Sequence, residues 1–338
     1  MKACVYNPQK ESEGFLELAQ IDAPKLNNNS ALIKILGVGV CGSDLLKLDR
    51  ALVKEGTVLG HELVGEISEI SDALSQKYGF QIGDRIVSSH HVPCLECKFC
   101  LNKQESLCTK FKTTNFNPGA FCEYLELSQD HLKYTVQKVP EGLSNLDASF
   151  TEPLACCIKA IERSGIKDYQ GTQAKILVLG LGSIGLLIGQ LAKYYKPELE
   201  LTGCDLQDDR LQLAKKLNFD LQTNKLDDKY DYIFLCAGAD QGIDIAIEHA
   251  EHGAKIVVFS SIKNNDLGFN NNDIYYKELT VMGSYSPNLN NLKEALELIS
   301  NKKILVSDLI SHKAKLENLG KTISQAKRDR GIKVFLEN

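Results

Sequence analysis

Lys175-Ile176-Leu177-Val178-Leu179 is a short apolar run that ends on Gly180-Leu181-Gly182-Ser183-Ile184-Gly185, and Ile184–Tyr195 then continues as an apolar helical pattern. G-x-G-x-x-G alone is a weak signal. Between a strand and a helix it has the context that binding of a dinucleotide pyrophosphate requires. Gly180 is expected to make the tight turn, Gly182 to let the backbone approach the phosphates, and Gly185 to let helix and strand pack closely. The first N–H groups of the helix, at Ser183 and Ile184, supply donors and a partial positive charge.

Moving outward, Leu199–Cys204 is the next strand, Arg210–Leu217 a helix and Tyr230–Cys236 a third strand. Ile243–Ala250 reads as a helix and Lys255–Phe259 as a fourth strand. Strands alternating with helices imply a parallel sheet with right-handed crossovers. Asp205 follows the second strand, where a carboxylate accepts hydrogen bonds from ribose hydroxyls and repels a 2′-phosphate, so NAD is favoured over NADP. Arg210 can flank the adenine, or bind a 2′-phosphate were Asp205 displaced. A glycine-rich turn in some other α/β protein is the bland alternative.

Residues 1–150 have a different texture. Ala31–Leu36 reads as a strand followed by a glycine-rich stretch, Gly37–Gly42. Leu63–Ile70 alternates apolar and polar residues, Arg85–Val87 opens another strand, and Gly119–Leu127 reads as a turn and a strand. Turns are frequent and helical periodicity is scarce, which suggests a twisted barrel or sandwich-like unit. Near the end, Leu292–Ser300 is an amphipathic helix and Ile332–Leu336 a strand that can rejoin the first unit. The 338 residues suit two domains. We divide them at 1–150, 151–290 and 291–338, the last returning to the first, with a lobe at about 90–110.

That lobe carries Cys94, Cys97, Cys100 and Cys108, spaced C-x2-C-x2-C-x7-C. Four thiolates close in sequence can enclose one Zn²⁺ with no open position, a structural site. An iron–sulfur cluster uses the same ligands, and four unrelated thiols is the remaining alternative. The chain has 11 cysteines and no signal-like N-terminus, so a reducing, cytoplasmic setting is expected, with clustered cysteines binding metal rather than forming disulfides. No apolar run reaches membrane-spanning length. With 39 Lys and Arg against 44 Asp and Glu, the net charge of −5 argues against a general nucleic-acid binder.

Cys41, His61, Glu62 and Glu152 are each unremarkable alone. A lone Cys is usually core, a lone His a satisfied polar group, and Glu152 can cap a helix with Pro153 in its first turn. Taken together with their surroundings they resemble a family. Gly39-Val40-Cys41-Gly42-Ser43-Asp44, Gly60-His61-Glu62, Gly83-Asp84-Arg85-Ile86-Val87, the four-cysteine lobe, Gly119-Ala120-Phe121-Cys122-Glu123-Tyr124, Thr151-Glu152-Pro153-Leu154, and the glycine turn with Asp205 and Arg210 occur in order across nearly the whole chain. The chain thereby resembles the zinc-dependent medium-chain dehydrogenase/reductase family of the alcohol dehydrogenase superfamily, near its sorbitol, threonine and polyol branch.

The resemblance implies a GroES-like β-barrel catalytic domain plus a Rossmann doubly wound parallel sheet, two Zn²⁺ per chain (one catalytic, one structural) and NAD. It implies that Cys41 and His61 bind the catalytic zinc, with Glu62 and Glu152 as acidic ligands, Glu152 either on the metal or holding its water. Ser43 receives the hydroxyl proton; Ser43 or Asp44 can instead cap the following helix. The reaction implied is hydride transfer between NAD(H) and a secondary alcohol or ketone, a polyol or sugar alcohol first, with an amino alcohol, cyclitol or sugar phosphate as alternatives. Lys47 and Arg50 are the nearest cations for a phosphate. A non-catalytic dinucleotide-binding protein is the third reading. Partners implied are a small-molecule alcohol or ketone and further copies of the chain as a homodimer or homotetramer, with no nucleic acid or membrane. Leu279–Met282 is a candidate for joining the copies or a buried internal strand. Two departures stand out: Leu46 occupies a place where many relatives have a proton-carrying His, and Ser183 one where Pro is common. His90 and His91 are assigned surface or packing roles, and Cys156 and Cys157 core roles.

Overall fold

The computed structural model describes residues 1–238, 242–260 and 271–338. The chain forms two compact units. The first comprises Met1–Pro153, Asn288–Lys302 and Val306–Asn338; the second comprises Leu154–Pro287 and Lys303–Leu305.

In the first unit a seven-stranded sheet is built around the long strand Ser30–Gly39. On one side it pairs antiparallel with Glu62–Ile70, which pairs with Arg85–Val87 and through it with Gln137–Lys138. On the other side lie Tyr124–Ser128 against its first half and Val334–Glu337 against its last residues. His312–Ala314 adds in parallel to Val334–Glu337. The alternating pattern of Ser30–Gly39 and Glu62–Ile70 turns Ile33, Ile35, Leu63 and Ile67 inward onto Phe121 and Leu125, all essentially inaccessible to water.

The strand is longer than its composition suggests. It continues through Gly37 and Gly39, which the sequence reading assigns to a glycine-rich segment after the strand. Both glycines serve close approach rather than a turn: a Cβ at Gly37 would lie 2.3 Å from the Phe335 ring, and one at Gly39 would lie 2.1 Å from Glu62 Oε2. Short helices also interrupt the barrel, at Gly42–Asp49, Asp72–Tyr78 and Gln129–Tyr134. They are too short for periodicity to reveal. Leu319–Arg328 is a further helix, burying Leu319, Ile323 and Ala326.

The second unit is a parallel sheet of six strands. In the order in which the chain makes them these are Lys175–Leu179, Glu200–Cys204, Leu221–Thr223, Tyr230–Leu235, Ala250–Val258 and Thr280–Gly283. Their order across the sheet is third, second, first, fourth, fifth, sixth. This is the doubly wound dinucleotide-binding order, whose strand order reverses beside the first strand. Strands buried on both faces need continuous apolar sequence, as Ile176–Leu179 and Ile233–Leu235 have. Of the two readings of Leu279–Met282, the structure has Leu279 buried and Thr280–Gly283 as an edge strand, with Val281 41% exposed. Among the described residues no helix is long and apolar enough to cross a membrane.

Candidate active site

Three neighbouring strands of the first unit bring the candidate metal ligands together. Gly39 ends the central strand, opposite Glu62 on one side and Phe335 on the other. Val40 N–H then donates to Val334 O at 2.9 Å, which fixes the course of the chain into Cys41. Cys41 is the N-cap of the helix Gly42–Asp49. Its sulfur accepts from Ser43 N–H at 3.5 Å and from Ser43 Oγ at 3.3 Å, while the Asp44 carboxylate accepts from Cys41 N–H at 3.3 Å. The capping residue is therefore Cys41, not Ser43 or Asp44. A thiolate at a helix N-terminus gains from the N–H donors and the dipole.

His61 stands next to Glu62. Its Nδ1 is 3.2 Å from Asp44 Oδ1, and both residues are buried. Burial opposes protonation of this imidazole, but Asp44 and then Cys41 outweigh it and hold His61 well above its ordinary value. A carboxylate behind one ring nitrogen is the usual arrangement of a metal-binding histidine: it orients the ring and leaves Nε2 for the metal. The ligand atoms of Cys41, His61 and Glu62 all lie within 4.8 Å of one another. Zinc bonds of about 2.0–2.3 Å place neighbouring donors some 3.5 Å apart, so small side-chain rotations close the set. Thiolate, imidazole and carboxylate are a donor set that suits zinc, and the three residues fit the ion. Glu152 is not in this group of three. It is buried in the first turn of the helix Thr151–Ser164, in the same unit.

Two residues at this site carry no spacing signal in the sequence. Lys333 is buried, with Nζ 2.5 Å from Glu62 Oε2 and 3.3 Å from Val40 O. His90 is half-buried and, of the two roles expected for it, takes the packing one. Its ring centroid is 4.6 Å from that of His61 and 3.8 Å from that of His91, and its Nδ1 is buried without a hydrogen-bond partner. Burial, with the neighbouring charges of His61, His91 and Lys47, keeps His90 well below its ordinary value and therefore neutral. His91 has the packing role, against Phe111 and bonded to Thr114 O at 2.6 Å.

In the lobe, the sulfurs of Cys94 and Cys108 are 3.5 Å apart, those of Cys97 and Cys100 3.6 Å, and those of Cys94 and Cys100 3.9 Å. A tetrahedron with Zn–S bonds of 2.3 Å has edges of about 3.8 Å. The cage fits a single ion; a multi-iron cluster would hold the sulfurs further apart. Burial opposes ionisation of Cys108, but N–H donors from Phe111 and Cys94 prevail and bring it to about 6.

In the second unit, Gly180 has φ +97°, and a Cβ there would lie 2.7 Å from Ala237 N. A Cβ at Gly185 would lie 1.9 Å from Gly180 O, so the helix packs on the turn at glycine distance. Gly182, the N-cap of Ser183–Tyr195, faces open space. Asp205 does more than close the strand: its Oδ2 accepts from Leu181 N–H at 2.7 Å and lies 3.4 Å from an Arg210 guanidinium nitrogen, and its Oδ1 accepts from Gln207 N–H at 3.0 Å. The carboxylate thus holds the glycine turn in shape.

Residues 27–140 match the family model of the alcohol dehydrogenase GroES-like domain, and residues 183–301 that of the zinc-binding dehydrogenase. The chain is 30% identical to a sorbitol dehydrogenase of Halalkalibacterium halodurans over 99% of each chain. It is 32% identical to an erythritol/L-threitol dehydrogenase of Mycolicibacterium smegmatis over 71% of this chain and 68% of that one. Its fold is similar to that of an alcohol dehydrogenase from Thermus sp. ATN1, with a TM-score of 0.86 at 22% identity over the whole of both chains.

Proposed function

The chain belongs to the zinc-dependent medium-chain dehydrogenase family, an oxidoreductase on CH–OH groups, and on that premise we propose that it oxidises a secondary alcohol of a polyol or sugar alcohol with NAD. The observation that carries the reading is the convergence of Cys41, His61 and Glu62, with Asp44 behind His61, in a chain that also has the glycine turn and Asp205. Similarity to sorbitol and erythritol dehydrogenases supports a polyol as the substrate class.

When bound, zinc would supply Lewis acidity to the substrate hydroxyl and NAD would serve as the hydride acceptor. Cys41 and His61 hold the metal, with Glu62 and Glu152 as its carboxylates, and Asp44 fixes the His61 ring. Ser43 Oγ accepts the hydroxyl proton while giving up its own. Because Ser43 is exposed, that proton can pass directly to water, and no imidazole is needed where Leu46 stands. Gly180, Gly182, Ser183, Ile184 and Gly185 receive the pyrophosphate, Asp205 the adenosine ribose and Arg210 the adenine. Cys94, Cys97, Cys100 and Cys108 hold the structural zinc.

The second reading is a phosphorylated polyol. It is supported by Lys47, a cation on the helix Gly42–Asp49 that Cys41 caps. Eleven free cysteines fit a reducing cytoplasm. The Thr280–Gly283 edge, with Val281, Tyr275, Tyr276 and Tyr285 exposed around it, suits pairing with a second copy.

The test is NADH absorbance with the zinc-loaded protein. Sorbitol or erythritol is expected to give a kcat/KM at least roughly tenfold above that of 2-propanol. Preference for a polyol phosphate selects the second reading, and turnover of threonine alone contradicts both.

A further inference from the structure

A groove of about 750 Å³ lies in the first unit, and none of the residues that line it is assigned to metal or cofactor. Small-molecule sites commonly occupy roughly 300–1,000 Å³. Its walls are the turn Glu11–Glu13, the edge strand His312–Ala314 and one face of the helix Leu319–Arg328. The helix buries Leu319, Ile323 and Ala326. Lys321, Gln325 and Arg328, at i, i+4 and i+7, therefore share the opposite face. Two glycines seat the turn against the helix. A Cβ at Gly14 would lie 2.7 Å from Gly320 O, and one at Gly320 would lie 2.0 Å from Glu13 O.

The charges around the groove are unevenly satisfied. Every carboxylate near it is committed to another cation. Glu13, which lines it, lies 3.7 Å from Lys10 Nζ. Glu317, four residues before Lys321, pairs with Lys2 at 2.8 Å. Asp329 Oδ2 is 3.0 Å from His312 Nε2, and Gln325 Nε2 donates to both its oxygens. Asp49 pairs with Lys327. Lys313, Lys321 and Arg328 all line the groove, and among the described residues none of the three has a carboxylate within ion-pair distance. The Arg328 guanidinium donates only to the neutral Gln325 Oε1, at 2.7 Å. The helix itself does not account for this placement. Arg328, in the last turn, suits the dipole, but Lys321 stands in the first turn, where the dipole disfavours a cation.

We propose that this groove binds a small molecule carrying two phosphate groups. No large apolar side chain lines it, so an apolar ligand has nothing to bury against. A guanidinium grips phosphate through two parallel N–H groups, and ammonium groups attract it as point charges. The hydroxyls of Thr322 and Ser324 line the same groove and add donors. One phosphate ester carries about −1.5 to −2 at pH 7, so a single group leaves three cations partly unanswered and two groups match them. The inference does not depend on the reaction assigned to the metal group.

The experiment is isothermal titration calorimetry with fructose 1,6-bisphosphate as the probe and fructose 6-phosphate as its one-phosphate control. The full-length, zinc-loaded protein is first saturated with NADH, which occupies the glycine turn. The wild type is expected to bind the bisphosphate at least roughly tenfold more tightly than the monophosphate, and less tightly as ionic strength rises. Lys313→Gln, Lys321→Gln and Arg328→Gln should each weaken binding by roughly threefold or more, and the triple variant should give no measurable heat. Lys302→Gln/Lys303→Gln, exposed cations outside the groove, should bind as the wild type does. NADH formation from sorbitol should be the same in the triple variant as in the wild type.

No binding by the wild type, or equal binding of the two sugars, overturns the proposal. So does binding that survives in the triple variant, which places the ligand at the metal group or the glycine turn instead. Should the triple variant not fold, Thr322→Glu puts a carboxylate into the groove with all three cations kept. A weakening of about tenfold or more is then expected, and unchanged binding overturns the proposal.

Discussion

At the scale of single residues, Asp205 illustrates how a role visible in sequence acquires a second one in the structure. Its position after the second strand suits it to the proposed role of ribose acceptor, but its 2.7 Å bond from Leu181 N–H depends on the turn being folded. Asp205→Ala should therefore act twice. Steady-state kinetics should give a higher KM for NAD, from a loosened glycine turn, and a fall of about tenfold or more in preference over NADP, about 1.4 kcal/mol. Preference unchanged within twofold would show that the carboxylate does not read the ribose. The same contrast applies at the metal. Cys41, His61 and Glu62 sit in short, ordered motifs that sequence can single out. Lys333 belongs to no motif; it reaches Val40 from 293 positions away, and only strand register brings it there. His90 was legible as a residue but not as a neighbour of His61, because the loop that carries it has no period from which a direction can be read.

At the scale of elements, legibility followed periodicity and length. Lys175–Leu179, Arg85–Val87 and the helix from Ser183 to Tyr195 agree with their sequence patterns to within a residue. Buried parallel strands are continuous apolar runs, and the helices between them are long enough to show a face. The short helices of the first unit escaped because one or two turns cannot establish a 3.6-residue repeat. The last residues of Ser30–Gly39 escaped because glycine reads as a turn, although here it makes room for Phe335 and Glu62. For Leu279–Met282 the sequence leaves open a join between copies or a buried internal strand, since an apolar run does not reveal its neighbours; the strand is Thr280–Gly283, at the edge. As an edge it presents unpaired backbone groups and an exposed Val281. Val281→Lys should leave the monomer folded and lower the mass measured by light scattering. An unchanged mass would place any contact between copies elsewhere.

At the scale of the whole molecule, two candidate metal sites of different kinds account for five of the chain's 11 cysteines. The cage of Cys94, Cys97, Cys100 and Cys108 is complete in itself and organises a lobe with little core, a small cluster of Phe111 and the cysteines. The group around Cys41 has three donors, a carboxylate behind its histidine and a lysine on its glutamate, the composition of a site that must still accept substrate. The division of labour predicts that the two sites empty independently. The decisive measurement is zinc content by mass spectrometry on the wild type and Cys41→Ser, paired with NADH formation from sorbitol or erythritol. The account predicts about two zinc ions per chain in the wild type, about one in the variant, and NADH from the wild type alone. Equal zinc content in the two proteins, with their NADH formation indistinguishable, would contradict it.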